Sequence, residues 1–125
     1  MLGVLLAEVS SRLLKEIVDR DRPFVSEPEP EPIVREPAGQ AFPSGHATVS
    51  FACAVVLSSA LPRLAVPCYV LAAAIAWSRV VTGVHFPLDV LGGAVLGLGV
   101  GWLVVRALRT LPAIPRRSAP PPPPA

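Results

Sequence analysis

The sequence is poor in charge, cysteine and histidine, and each shortage removes a class of protein. Only 16% of its 125 residues are charged, against 52% that are hydrophobic. Soluble domains average about 25% charged. With a mean hydropathy of +0.57, the expected solvent for much of the surface is lipid. A net charge of +2 is too small to point to nucleic acid, and no basic patch interleaved with aromatics is present. Two cysteines, Cys53 and Cys68, cannot make a disulfide scaffold. Both lie in apolar stretches and read as small buried hydrophobes. The length suits one domain. Proline, by contrast, is plentiful, with 16 residues. Most fall within 23–43 or from Pro112 onward, which largely spares the helical segments.

Helical periodicity runs from Met1 to about Val18, where Leu2, Leu5, Leu6, Val9, Leu13, Leu14 and Ile17 recur. Glu8, Arg12, Lys15 and Glu16 mark a polar side. A full membrane span needs about 20 mostly apolar residues, so this helix reads as part of a span or its exit. It lacks the charged start and cleavage site of a secretory signal. Residues 19–43 form a polar loop whose Glu27-Pro28-Glu29-Pro30-Glu31-Pro32 tract is expected to be extended. The tract reads as a solvated acidic spacer, with a cation or partner site as the alternative.

Three apolar segments follow, Ala47 to Leu61, Leu64 to about Val81, and Leu88 to Val105. The first two suit short or tilted spans. Pro87 suits the first helical position of the third. Gly93, Gly97 and Gly101 are four apart there and line one helix face, either as a close-packing stripe or as a smooth face with no specific partner. The expected fold is an all-α transmembrane helical bundle of about four helices, one of them partial. It occupies residues 1–109, with a disordered Arg/Pro-rich tail at 110–125.

Three spans in series place residues 19–46 and 79–89 on one side of the membrane. Arg63, Arg106, Arg109, Arg116 and Arg117 lie on the other, unmixed with acids. Excess Lys and Arg marks the cytoplasm, so the first side is expected to face outward.

That outward side collects the polar residues with chemical potential. Lys15, Arg22 and Arg79 are cations at the mouth of a low-dielectric bundle and call for an anionic partner. Nearby carboxylates would serve, but the arginine fork matches phosphate oxygens better. Ser44 and Gly45 open a helix, where free N–H groups form an anion site and glycine permits close approach. A plain N-cap is the simpler role for Ser44, and the two are compatible. His85 and Asp89 are four apart. On one helix face, the carboxylate would hold one ring nitrogen and free the other to attack, although capping is an ordinary use of Asp89 too. His46, the other of only two histidines, is a candidate to protonate a phosphoester leaving group.

Taken together, three blocks appear in order. They are Lys15 with Arg22-Pro23, then Pro43-Ser44-Gly45-His46, then Ser78-Arg79 with His85 and Asp89, with Gly83 ahead of the histidine. The chain thereby resembles the type 2 phosphatidic acid phosphatase superfamily at every fixed position of its signature, over about Lys15 to Gly101. The resemblance implies a membrane helical bundle and a metal-independent phosphatase without cofactor, acting on a lipid phosphate or lipid diphosphate. It implies His85 as a nucleophile that forms a phosphohistidine, Asp89 as its orienting carboxylate and His46 as general acid and base. Lys15, Arg22, Ser44, Gly45 and Arg79 would form the phosphate cradle. It further implies a bacterial plasma-membrane protein with an extracytoplasmic site, bathed in membrane lipid, with self-association as a partner reading.

Membrane members of that superfamily usually carry six spanning helices, with two or so before the lysine block. Here that block falls in the first helix, which reads as an N-terminally short frame or a minimal form that dimerises. Two other readings compete. One is a soluble acid phosphatase or vanadate haloperoxidase relative, which hydropathy and size oppose. The other is a truncated membrane protein that packs with a partner without turnover.

Overall fold

Helix α1, Leu2–Val18, ends where Asp19 turns left-handed (φ 43°) and its N–H closes on the Lys15 carbonyl. Aspartate tolerates that conformation better than most residues. A single helical turn, α2, spans Pro23–Ser26, inside what the sequence presents as a loop. Its proline supplies a preset φ at the start. Helix α3, Gly45–Ala60, stops ahead of Pro62. A 3₁₀ turn at Pro62–Leu64 leads into α4, Ala65–Val81. Helix α5, Pro87–Thr110, has its proline at the first position, as expected. The computed structural model describes residues 1–26, 33–34 and 38–110. They make an all-α bundle in which α3 is central and packs on α1, α4 and α5.

Two helix boundaries differ from the apolar segments read in the sequence. Helix α3 starts at Gly45, so His46 belongs to its first turn and does not precede it. Helix α5 continues past Val105 to Thr110. Arg106 lies over the Trp102 ring at 5.6 Å there, a contact available only on a continuing helix. Thr110 is therefore helical, and the remainder of the proposed tail, 111–125, lies outside the described residues, as does the Glu-Pro tract at 27–32. Cys53 and Cys68 are free but half-buried, which corrects the buried reading, because both face a cavity.

The bundle is small inside and large outside. Its buried apolar residues are mostly alanines, such as Ala7, Ala47, Ala52 and Ala76. Leu5, Leu13 and Ile17 of α1, Leu71 and Trp77 of α4, and Leu91, Val95 and Trp102 of α5 are exposed. The apolar face of α1 thus points outward, and Ala7 and Ser11 are its buried residues. Large side chains facing out and small ones at helix contacts suit a hydrocarbon surround. Pro62–Val81 and Pro87–Thr110 are long and apolar enough to cross a membrane, and Gly45–Ala60 is apolar but shorter.

The glycine face of α5 is a packing face. Gly93, Gly97 and Gly101 are all buried against α3. A Cβ on Gly93 would stand 2.5 Å from the Ser44 carbonyl oxygen, and one on Gly101 would meet Val55 at 2.8 Å. A Cβ on Gly97 would run into the Thr48 carbonyl. This close approach draws the ends of α3 and α5 together, and with them Ser44 and Asp89, whose backbones bond directly (Ser44 N–H to Asp89 O, 2.9 Å).

Candidate active site

The three sequence blocks converge at one end of a cavity of about 850 Å³ between α1, α3 and α4. Lys15, Arg22, Gly45, His46, Arg79 and His85 line that end. Away from them the walls become apolar, with Val49, Cys53 and Leu57 from α3 and Leu71 and Ile75 from α4, while Glu8 of α1 adds one acid. Among the described residues α1 and α4 do not touch each other, so the cavity runs as a groove along α3. One space therefore joins a cationic head to an apolar channel.

Local backbone geometry places His85. After α4, Gly83 adopts φ 73°, a left-handed conformation that glycine takes without steric cost. The N–H groups of Val84 and His85 then both return to the Arg79 carbonyl, at 3.3 and 3.2 Å. This knot ties the histidine to the arginine six positions earlier. The chain enters α5 immediately afterwards, and Asp89 reaches back from the first turn to accept the Phe86 N–H at 2.8 Å. That is the N3-to-N-cap half of a capping box.

Arg22 is buried, and backbone carbonyls hold it. Its Nε donates to Gly39 O at 2.7 Å and its Nη1 to Val84 O at 3.0 Å. The same Nη1 lies 3.5 Å from Nε2 of His85. A guanidinium can only donate, so this approach favours the tautomer with the lone pair on Nε2 and the proton on Nδ1. Lys15 Nζ donates to the Gln40 carbonyl at 3.1 Å. Arg79 Nε is steadied by the Ser78 hydroxyl at 3.1 Å. The cationic end thus has preset geometry. Burial, and then the Arg22 and Lys15 charges, push the His85 pKa down to about 3, with only the Ala41 backbone opposing. The ring is therefore neutral at physiological pH.

Asp89 and Ser44 lie behind the cavity wall, both fully buried. Asp89 Oδ2 is 3.8 Å from His85 Nδ1, on the expected face but beyond hydrogen-bond length. Its cationic partner is Arg20, whose Nη1 donates to Oδ1 at 3.0 Å, and not a cavity cation. Ser44 occupies the N-cap position of α3, yet its Oγ makes no capping bond and has no protein partner. Its carbonyl receives the Thr48 N–H and hydroxyl instead. Sequence reasoning missed Arg20. The alternating run Asp19-Arg20-Asp21-Arg22 was the only visible signal, and it does not reveal a partner 69 positions away. Among the described residues, no three His, Cys, Asp or Glu side chains converge as a metal site.

Comparison with known proteins agrees with this arrangement. The model of a family described as the PAP2 superfamily matches residues 1–112. A decaprenylphosphoryl-5-phosphoribose phosphatase of Mycolicibacterium smegmatis is 39% identical over 95 residues, covering 73% of this chain and 48% of that protein. An undecaprenyl-diphosphatase of Sulfolobus acidocaldarius is 31% identical over 113 residues, covering 90% and 53%. Among solved structures, a transmembrane PAP2-type phosphatidylglycerolphosphate phosphatase from Bacillus subtilis superposes with a TM-score of 0.70 at 32% identity, over 90% of this chain and 58% of that one. The chain spans about half the length of the curated relatives it matches.

Proposed function

The chain belongs to the PAP2 superfamily, and from that premise we propose that it removes phosphate from a lipid phosphate or lipid diphosphate at the cationic end of the cavity. The observation that carries this reading is the continuity of that cavity, which joins Lys15, Arg22, Arg79 and both histidines to an apolar groove. A phosphate placed at the first and a hydrocarbon tail laid in the second describe an amphipathic substrate. The relatives named for polyprenyl-linked substrates support an isoprenoid tail.

His85 attacks phosphorus through Nε2, which already bears the lone pair, and a phosphohistidine forms as the bond to the leaving oxygen breaks. His46 protonates that oxygen, then takes a proton from the water that releases phosphate and restores His85. Asp89 stabilises the proton on Nδ1. Lys15, Arg22, Arg79 and the N–H groups at the start of α3 from Gly45 onward balance charge on the phosphoryl oxygens, while Ser44, buried behind them, holds that turn through its backbone bonds to Asp89 and Thr48. The cations crowd the place a metal ion would take, which supports a metal-independent reaction. Arg63, Arg106 and Arg109, at the opposite ends of the spans, support an extracytoplasmic site in a bacterial plasma membrane. The exposed leucine and valine surface is where membrane lipid, and any second copy, would pack.

Purified protein in lipid, supplied with phosphatidic acid and a polyprenyl diphosphate, is expected to release phosphate with EDTA present. Failure with every lipid phosphate tried would favour a non-catalytic membrane protein, and equal activity without detergent or lipid would favour a soluble relative.

A further inference from the structure

Arg20 lies outside the cavity but is bound into its back wall. Its guanidinium donates to Asp89 Oδ1 at 3.0 Å and lies over the Phe86 ring, 4.8 Å from the centroid. Its own carbonyl accepts the Ala41 N–H at 2.8 Å. The side chain is thus fixed from both ends, by backbone to the segment leading into α3 and by its head to the start of α5.

The consequence falls on Asp89. A fully buried carboxylate needs compensation for each oxygen. Oδ2 accepts the Phe86 N–H, and Oδ1 accepts Arg20. Lys15 and Arg22 are near enough to feel the Asp89 charge, but neither bonds to it: they donate to the carbonyls of Gln40, Gly39 and Val84 instead, and Arg20 is the cation that reaches the carboxylate. Arg20 is therefore the group that fixes the rotation of the carboxylate. With Oδ1 held by Arg20, Oδ2 is turned toward Phe86 N–H and the His85 Nδ1. The stack on Phe86 keeps the fork in plane, a constraint a lysine ammonium would not feel.

We propose that Arg20 is a positioning residue: acting through Asp89, it sets the carboxylate behind His85 so that the imidazole keeps its proton on Nδ1 and presents Nε2 to the cavity. This rests on the reading of His85 as the reacting group. Because Arg20 does not line the cavity, its loss should act on turnover and leave substrate binding alone.

The test compares Arg20→Gln, Arg20→Lys, Asp89→Asn and the double variant Arg20→Gln/Asp89→Asn, with His85→Ala as control, on a polyprenyl diphosphate in lipid. Arg20→Gln is expected to lower kcat about tenfold to a hundredfold, the range for a hydrogen bond to a charged group, with KM within about twofold. Arg20→Lys should recover part of that loss. In the Asp89→Asn background the Arg20→Gln change should cost less than about twofold, since neighbours acting through one another are not additive. Phe86→Leu, which removes the stack and leaves the charge, is the milder variant should Arg20→Gln not fold, and should lower kcat about threefold at unchanged KM. A readout independent of turnover is the ¹⁵N spectrum of the two histidine rings, in which Arg20→Gln and Asp89→Asn should each convert His85 from one tautomer to a mixture. Wild-type kcat and an unchanged His85 spectrum in Arg20→Gln would overturn the proposal, as would losses that simply add in the double variant. If His85→Ala stays active, the histidine reading fails instead, and the His85 spectrum still reports on Arg20.

Discussion

Asp89 Oδ2 stands 3.8 Å from the Nδ1 of His85, with the carboxylate fully buried and the ring nearly so. The pair is aligned but not closed, and the imidazole Nδ1 has no hydrogen-bond partner. Such contacts often tighten only when substrate is bound. Positive charge growing on the ring during attack would draw the two together. Asp89→Asn keeps the size and the Phe86 cap while removing the charge. Its kcat is expected to fall at least about a hundredfold, as when the orienting acid of a triad is neutralised, with KM little changed. Steady-state kinetics on a lipid phosphate check this, and a kcat within threefold of wild type would contradict it.

His85 also sets a pH dependence of stability. The free ring titrates near 6.5 and the folded one near 3. Between those values the unfolded chain binds a proton that the folded chain refuses, so this contribution is complete above about pH 6.5 and falls away as pH drops toward 3. Thermal midpoints in detergent at pH 7, 5 and 4 should therefore decline more steeply for wild type than for His85→Gln. Parallel declines would show that the ring is not held neutral.

The contact between α3 and α5 leaves no room at Gly97, where a Cβ would strike the Thr48 carbonyl, whereas Gly99 has nothing within 4 Å. Gly97→Val should therefore destabilise the bundle by about 2–3 kcal/mol, typical of overpacking. Gly99→Ala should be neutral or slightly stabilising, since alanine is the better helix former. Thermal melts of the two variants in the same detergent separate them, and equal midpoints would argue against the close packing.

Arg22→Lys preserves the charge but cannot reproduce a fork shared between Gly39 O and Val84 O. The buried Val84 carbonyl and the more exposed Gly39 carbonyl would no longer share one fork, and the contact beside His85 Nε2 would go with it. A loss of at least about tenfold in kcat/KM is expected, together with a lower melting midpoint. Full activity in this variant would mean that charge alone suffices.

Much of the site was legible in the sequence because its residues sit at helix ends, where position along the chain fixes the membrane face. Lys15, Arg22, His46, Arg79 and His85 needed only that argument to be grouped. The glycine stripe was visible too, but only the packed helices decide that it meets α3 and not lipid. Three features were beyond reach. The Arg20–Asp89 pair depends on a turn after Asp19 and a contact across the whole fold. The missing cap bond of Ser44 depends on a rotamer. The outward face of α1 was hidden because lipid-facing and core-facing leucines share the same helical period, and only the solvent tells them apart.

The proposed chemistry hinges on a bond between phosphorus and the His85 Nε2. The direct measurement is a rapid quench of wild type, His46→Ala and His85→Ala with a ³²P-labelled polyprenyl diphosphate, followed by gel analysis of the protein. An alkali-stable, acid-labile label on wild type, greater in His46→Ala and lost with all phosphate release in His85→Ala, is the predicted result. Phosphate release by His85→Ala at the wild-type rate would contradict it.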